Sequence, residues 1–332
     1  MTPGSSGRGP SSTETGKSNE ARVSQGAAEY LKTHTVLPVP VILNRSSGSA
    51  GDPGTADRVR AAFRAAGREA DVQLAASGKE VVPLARGAAS GASDVVVAGG
   101  GDGTVSCVAS ILAGGEKALG ILPLGTLNHF AKDLKIPIAL VAAARTVVEG
   151  HIARVDVGEV DGRIFVNNSS LGLYPSIVRH REEMRQRLGR GKWPAFAWAT
   201  VHALHRHSSR LDLTLSIDGR EIRRRTPFVF VGNNVYDMEG FKIGKRDRLD
   251  SGELSVYLAP DARPIDLIFL AIRLFFGRLR AAGDFEALQT AELRIDTRTG
   301  RARVATDGEI SMLDTPFLYR VRPKDLRVVV PQ

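Results

Sequence analysis

From about residue 38 the chain alternates short, continuously apolar runs with amphipathic stretches, and near residue 155 that rhythm changes. The end of the run 36–43 reads as a buried strand and gives way to the polar loop Asn44-Arg45-Ser46-Ser47-Gly48. Residues 56–67 have helical composition and a glycine stop, 71–74 a strand pattern, and 81–89 a helical one. The β-branched run 94–98 enters a cluster of glycines and then a helix over about 104–112, and 118–122 is a further short strand. Strands alternating with helices in this way predict a mostly parallel sheet covered on both faces.

Beyond residue 155 the strands come in pairs. Residues 153–160 and 163–167 flank Asp161-Gly162, and 211–217 and 221–225 flank Asp218-Gly219; both dipeptides favour tight hairpins. Strand patterns follow at 228–231, 253–258, 291–296, 301–306 and 317–321, with helical pieces at about 177–190 and 264–281. The predicted fold is therefore an α/β N-terminal domain over 36–152 and a C-terminal antiparallel β-sandwich domain over 153–320.

Composition adds limits. Of the 332 residues 42% are apolar and 24% charged, an ordinary globular balance, and the length suits about two domains. The single cysteine, Cys107, excludes an intramolecular disulfide framework and a cysteine-based zinc cage. A net charge of +9 favours anionic partners: nucleotides, nucleic acid or an acidic lipid surface. Residues 1–35, rich in Ser, Gly, Thr and Pro, are expected to form a disordered tail, with no apolar stretch of the kind a secretory signal carries. The longest apolar run, 267–276, is interrupted by Arg273 and falls far short of the ~20 residues that span a bilayer. A soluble or peripheral protein is expected.

The chemistry concentrates in Val95-Val96-Val97-Ala98-Gly99-Gly100-Gly101-Asp102-Gly103-Thr104. Glycines between a strand and a helix let the backbone approach a ligand, and the helix N-terminus offers unpaired N–H groups suited to phosphate. Asp102 is an unusual neighbour for phosphate unless a divalent cation lies between the two anions. The loop is neither a Walker A motif nor the Rossmann fingerprint, since Ser106 stands where the third Rossmann glycine would be. A second segment, Leu122-Pro123-Leu124-Gly125-Thr126-Leu127-Asn128, also follows a strand, so adjacent strands would bring both loops to one rim. Thr126 and Asn128 are equally suited to local turn and cap bonding.

Together these residues resemble the diacylglycerol kinase catalytic-domain family, which includes bacterial soluble lipid kinases and the sphingosine and ceramide kinases. The resemblance rests on Gly100-Gly101-Asp102-Gly103-Thr104 and on Pro123 to Ala131, and extends through four further stretches in order. These are Leu43 to Gly48, Val155-Asp156-Val157-Gly158, Phe165-Val166-Asn167-Asn168 and Asp307-Gly308-Glu309. It implies a first domain similar to NAD kinases and phosphofructokinases that binds ATP, and a sandwich that receives the lipid. It also implies a final segment, 321–332, that returns to the first domain. Asn44, Ser47, Gly100, Gly101, Asp102, Gly103, Thr104, Thr126 and Asn128 match nucleotide-binding positions. Asp102 would reach Mg²⁺, and Asp307 with Glu309 would supply the general base, both pointing to one side of an extended segment. Asp-Gly is also a common turn pair.

Three positions depart from the family pattern: His129 where Asp is common, Ser251 where a ligating Asp belongs to a structural Mg²⁺ site, and Ser77 near the adenosine position. At the second, Asp247 or Asp250 could compensate. Arg179, Arg181, Arg185, Arg187, Arg190 and Lys192, followed by Trp193, Phe196 and Trp198, suit an anionic membrane surface at the inner, cytoplasmic face, as well as RNA or a plain solvated helix. The resulting expectation is a lipid kinase using ATP and Mg²⁺, peripheral to the membrane, with no nucleic-acid partner and with homodimerisation open. The alternatives are an NAD kinase-like enzyme or a non-catalytic nucleotide- or lipid-binding protein.

Overall fold

The computed structural model describes residues 37–172, 210–236, 246–258 and 286–332. The expected tail, the helical pieces at 177–190 and 264–281, and the basic segment from Arg179 to Trp198 lie outside these residues.

The first layer is a parallel sheet in the order β2 (Ala70–Ala75), β1 (Val39–Asn44), β3 (Val95–Gly100), β4 (Ala118–Pro123). Helices α1 (Thr55–Ala65), α2 (Gly78–Ser90), α3 (Asp102–Leu112), the short α4 (His129–Asp133) and α5 (Leu140–Glu149) accompany it. Strands β1 and β4 are buried at every position, which is why they read as unbroken apolar runs rather than alternating ones. Val41, Ile42, Leu43, Val97, Leu119 and Ile121 pack with Phe63 and Val59 of α1 and Val108 of α3 into one core. Helix α3 starts at Asp102, two residues before the predicted position, so Asp102 and Gly103 belong to its first turn.

The second layer is a sandwich. One sheet has the order β12 (Glu286–Thr290), β11 (Leu254–Leu258), β10 (Phe228–Asn233), β7 (Asn168–Gly172), β14 (Arg301–Thr306), β15 (Glu309–Asp314). It faces β13 (Glu292–Thr297), β8 (Leu211–Ile217) and β9 (Arg220–Thr226), which continue the ten-stranded sheet that begins with β2. Leu171, Val229, Val231, Val256 and Val304 from one side meet Leu215, Ile295, Phe317 and Tyr319 from the other. Hairpins form at both predicted Asp-Gly pairs, with positive φ at Asp161, Gly162, Asp218 and Gly219. Strands β7, β12 and β15 are absent from the sequence-based pattern. They are short and, in β12 and β15, partly exposed, so no apolar run marks them.

The joint between the layers is β16 (Phe317–Val330), a fourteen-residue strand. It runs antiparallel to β5 (His151–Val160) from Tyr319↔Val160 to Val330↔His151, with a register shift between Arg322 and Leu326. Its first residues pair with β13, and Arg327 and Val328 pair in parallel with Ala118 and Leu119 of β4. At the shift, buried Asp156 accepts hydrogen bonds from the N–H groups of Lys324 (2.8 Å) and Gly252 (2.7 Å). The place where the pattern changes is thus a shared sheet and not a linker.

Strand β6 (Arg163–Phe165) ends in Phe165, which is fully buried edge-on to Tyr319 with ring centroids 6.4 Å apart. Phe165→Ala is expected to cost about 3–5 kcal/mol, measured as a loss of stability in urea.

Candidate active site

The carboxyl ends of β1, β3 and β4 point to one rim, where ligands bind in parallel α/β sheets. Three loops meet there. Ser47 Oγ accepts from the N–H of Gly101 at 2.7 Å, and Ser49 N–H donates to the Leu124 carbonyl at 2.9 Å. Asn44 Nδ2 donates to Thr104 Oγ1 at 3.0 Å, while its Oδ1 accepts from Ser46. Gly125 has no room for a side chain, because a Cβ would collide with Gly101 Cα and Asn128 Oδ1. Asn128 adopts a left-handed backbone at φ 51°. Its buried amide braces the turn by donating to Gly125 O at 2.9 Å and accepting from Gly125 N–H at 3.0 Å.

The nucleotide positions predicted from the sequence therefore gather at one rim, but they divide by role. Asn44, Gly100, Thr104 and Asn128 are buried and hold the loops together, whereas Thr126 is exposed and Gly101, Asp102 and Gly103 open the N-terminus of α3. First-turn N–H groups lack partners within any helix and favour an anion. Asp102 is half-buried, and its Oδ1 accepts from the N–H of Phe130 on α4 at 3.4 Å.

Asp307 and Glu309 do not lie on an extended segment. Positive φ at Asp307 (47°) and Gly308 (89°) reverses the chain between β14 and β15, so the two side chains part company. Glu309 is exposed. The Asp307 carboxylate turns inward and accepts from the N–H groups of Val166 (2.7 Å), Asn167 (2.9 Å) and Asn168 (3.1 Å), and from the hydroxyl of Ser106 on α3. Burial pushes this carboxyl above its ordinary value, and the four hydrogen bonds pull it the other way. The shift arises from burial and not from repulsion by Glu309, as a coupled pair would require.

The segment that Asp307 holds is held from its other side too. Tyr236 donates its hydroxyl to Asn167 O at 2.9 Å, and burial pushes that phenol up to about 12. Arg246 donates to Val166 O at 2.6 Å and Asn167 Oδ1 at 2.8 Å, and pairs with Asp133 of α4 at 2.8 Å. Sequence reasoning passed over Ser106, Asp133 and Arg246. Arg246 lies in Lys245-Arg246-Asp247-Arg248, a charged tract that reads as a solvated loop.

Asp247 and Asp250 join no such cluster. Both are exposed, Asp250 pairs with Arg248 at 3.1 Å, and Ser251 gives its N–H and hydroxyl to Asn234 Oδ1, each at 2.8 Å. Among the described residues no three acidic, histidine or cysteine side chains gather as a metal site.

Residues 38–160 match the diacylglycerol kinase catalytic domain, and 170–330 match the YegS C-terminal NAD kinase beta sandwich-like domain. The N-terminal layer thus carries a diacylglycerol kinase catalytic domain, and the sandwich a YegS-type C-terminal domain. It is 29% identical over 277 residues to a Pseudomonas aeruginosa protein named "Probable lipid kinase YegS-like", covering 82% of this chain and 88% of that one. A Staphylococcus aureus diacylglycerol kinase is 28% identical over 179 residues, 52% of this chain and 55% of that protein. The fold is similar to that of a Bacillus anthracis diacylglycerol kinase structure, with a TM-score of 0.65 at 20% identity over 88% of this chain and 96% of the other. Among the described residues no helix is long and apolar enough to cross a membrane.

The raised carboxyl of Asp307 is expected to couple folding to pH. With its folded pKa raised above the ordinary 3.8, its contribution is full below that value and is lost as pH rises through the folded one. Urea midpoints should therefore fall from pH 3.8 upward relative to Asp307→Asn, which does not titrate there. Parallel curves for the two proteins would contradict the assignment.

Proposed function

We infer that this kinase transfers the γ-phosphate of ATP to a hydroxyl of diacylglycerol or of a sphingoid- or ceramide-type lipid. The observation that carries the reading is that one helix, α3, serves both reactants. Its N-terminus presents Gly101, Asp102 and Gly103 at the rim, and one turn on Ser106 binds the carboxylate of Asp307. Donors for phosphate and a carboxylate for the incoming hydroxyl are thus fixed to a single rigid element.

Phosphoryl transfer needs positioning, charge neutralisation and a proton acceptor. Asp102 spends one oxygen on a long hydrogen bond, which leaves the lone pairs a hard cation requires, so its environment fits Mg²⁺. Bound there, Mg²⁺ would neutralise phosphate charge. Asp247 and Asp250 do not fit a second ion, for the reasons given above. The Asp307–Glu309 turn takes the proton, with Asp307 anchored by its four donors and Glu309 open to the surface. For the acceptor's apolar part the candidates are half-buried aromatic residues on the outer side of the six-stranded sheet. Phe228 and Phe230 alternate there with the core residues Val229 and Val231, and Phe230 meets Tyr236 edge-on (5.4 Å between centroids) and Tyr257 at a tilt (6.0 Å).

Asp102→Asn should lower kcat by ~10²-fold or more. Asp307→Asn and Glu309→Gln, each assayed for ATP affinity and for single-turnover transfer to dioleoylglycerol, should keep the first and lose the second. If both variants transfer at the parental rate, the base lies elsewhere and His129 is the next residue to replace.

The basic, aromatic-flanked segment from Arg179 to Trp198 serves in this reading to dock the enzyme on anionic lipid at the inner membrane face, each basic residue contributing about 1 kcal/mol. Replacing Arg185, Arg187 and Arg190 together should weaken binding to phosphatidylglycerol vesicles and flatten its salt dependence. Unchanged binding would leave the run as a solvated face.

A further inference from the structure

Arg246 is an expensive residue to bury. Its side chain has no exposure, and that of Asp133 has 7%. All five of its N–H donors have acceptors: Nε and one Nη2 hydrogen face Asp133, Nη1 faces Val166 O and Asn233 O, and the second Nη2 hydrogen faces Asn167 Oδ1. The guanidinium also lies against the rings of Phe130 (5.8 Å) and Tyr236 (5.2 Å). Apolar residues of similar volume would serve as well or better if adhesion alone were needed, because a buried ion pair rarely adds net stability. What the charged fork adds is fixed geometry, since a planar guanidinium accepts few arrangements of its partners.

The partners form a closed circuit. Asp102 accepts from Phe130 on α4, and Asp133 ends the same helix. Asp133 holds Arg246, Arg246 holds the carbonyl side of Val166 and the side chain of Asn167, and Asp307 holds the N–H side of the same two residues. Asp307 then returns to α3 through Ser106, four residues from Asp102 along the helix. The circuit contains both carboxylates of the transfer reaction, and Arg246 is joined to each only through other members.

We propose that Arg246 is a positioning residue for phosphoryl transfer, whose buried guanidinium sets the separation between the α4 side of the nucleotide rim and the turn carrying Asp307. The inference rests on the kinase reading above. It acts through Asp133 and the 166–167 peptide and touches neither reactant. Losing the fork should therefore misplace the reacting groups without emptying the nucleotide site, and small misplacements are costly in rate.

The test uses the full chain with ATP and dioleoylglycerol micelles. Arg246→Lys keeps the charge and loses the fork; Asp133→Asn keeps the shape and loses the counter-charge. Val59→Ala, in the core of α1, controls for stability, and rates are taken only well below each variant's unfolding temperature. The expected result is a fall in kcat of about tenfold or more for Arg246→Lys with KM for ATP within about twofold, while Val59→Ala keeps the parental kcat. Asp307→Asn combined with Arg246→Lys should be little slower than Asp307→Asn alone, because both break one circuit. Parental kcat in folded Arg246→Lys, or losses that multiply in the double variant, would overturn the proposal. A parent chain that phosphorylates no lipid would instead overturn the kinase reading.

Discussion

A buried strand needs partners on both of its edges, and β4 is buried along its whole length. Strand β3 pairs along one edge, and the other is taken by Arg327 and Val328 of β16. That requirement brings the end of the described chain back into the first layer. Because β16 also begins in the sandwich, pairing Phe317 with Ile295, one continuous strand fixes the two layers to each other. The rim loops and the turn at Asp307 can then be related by direct hydrogen bonds from α3, which a flexible linker would not sustain.

The same economy governs the turn. Asp161-Gly162, Asp218-Gly219 and Asp307-Gly308 have nearly the same backbone, all with positive φ. At the first, the side chain accepts from Leu318 N–H of the neighbouring strand β16. At the third it reaches another part of the protein and binds three consecutive amides and a serine. A turn and a site residue are therefore compatible readings of one dipeptide, and only the surroundings separate them.

The fold class was legible because it depends on local pattern. Buried parallel strands have to be apolar throughout, Asp-Gly pairs have to turn, and three consecutive glycines before a helix have few other uses. The rim was legible for a related reason, since Gly125, Ser47 and Asn128 are chosen by close backbone approach. Long-range pairing carried no such signal. Nothing in Glu309–Asp314 distinguishes a half-exposed strand from a loop, and the inward aim of Asp307 depends on residues 139 to 201 positions away. Arg246 was the hardest to see. Its burial is set by the convergence of Asp133, Val166 and Asn167, and its sequence neighbours Asp247 and Arg248 are exposed.

The route of β16 also orders events during synthesis. Arg327 reaches Glu116, 211 residues earlier in the chain. Until residues 317–330 emerge from the ribosome, β4 presents an unpaired apolar edge, and an edge of that kind is a template for pairing with another chain. Contacts of such sequence separation also form slowly. The nascent first layer must therefore wait for residues 317–330, some two hundred positions after β4, before its sheet is complete. In that interval the β4 edge is open to pairing off the folding path, as unpaired strand edges in larger proteins are.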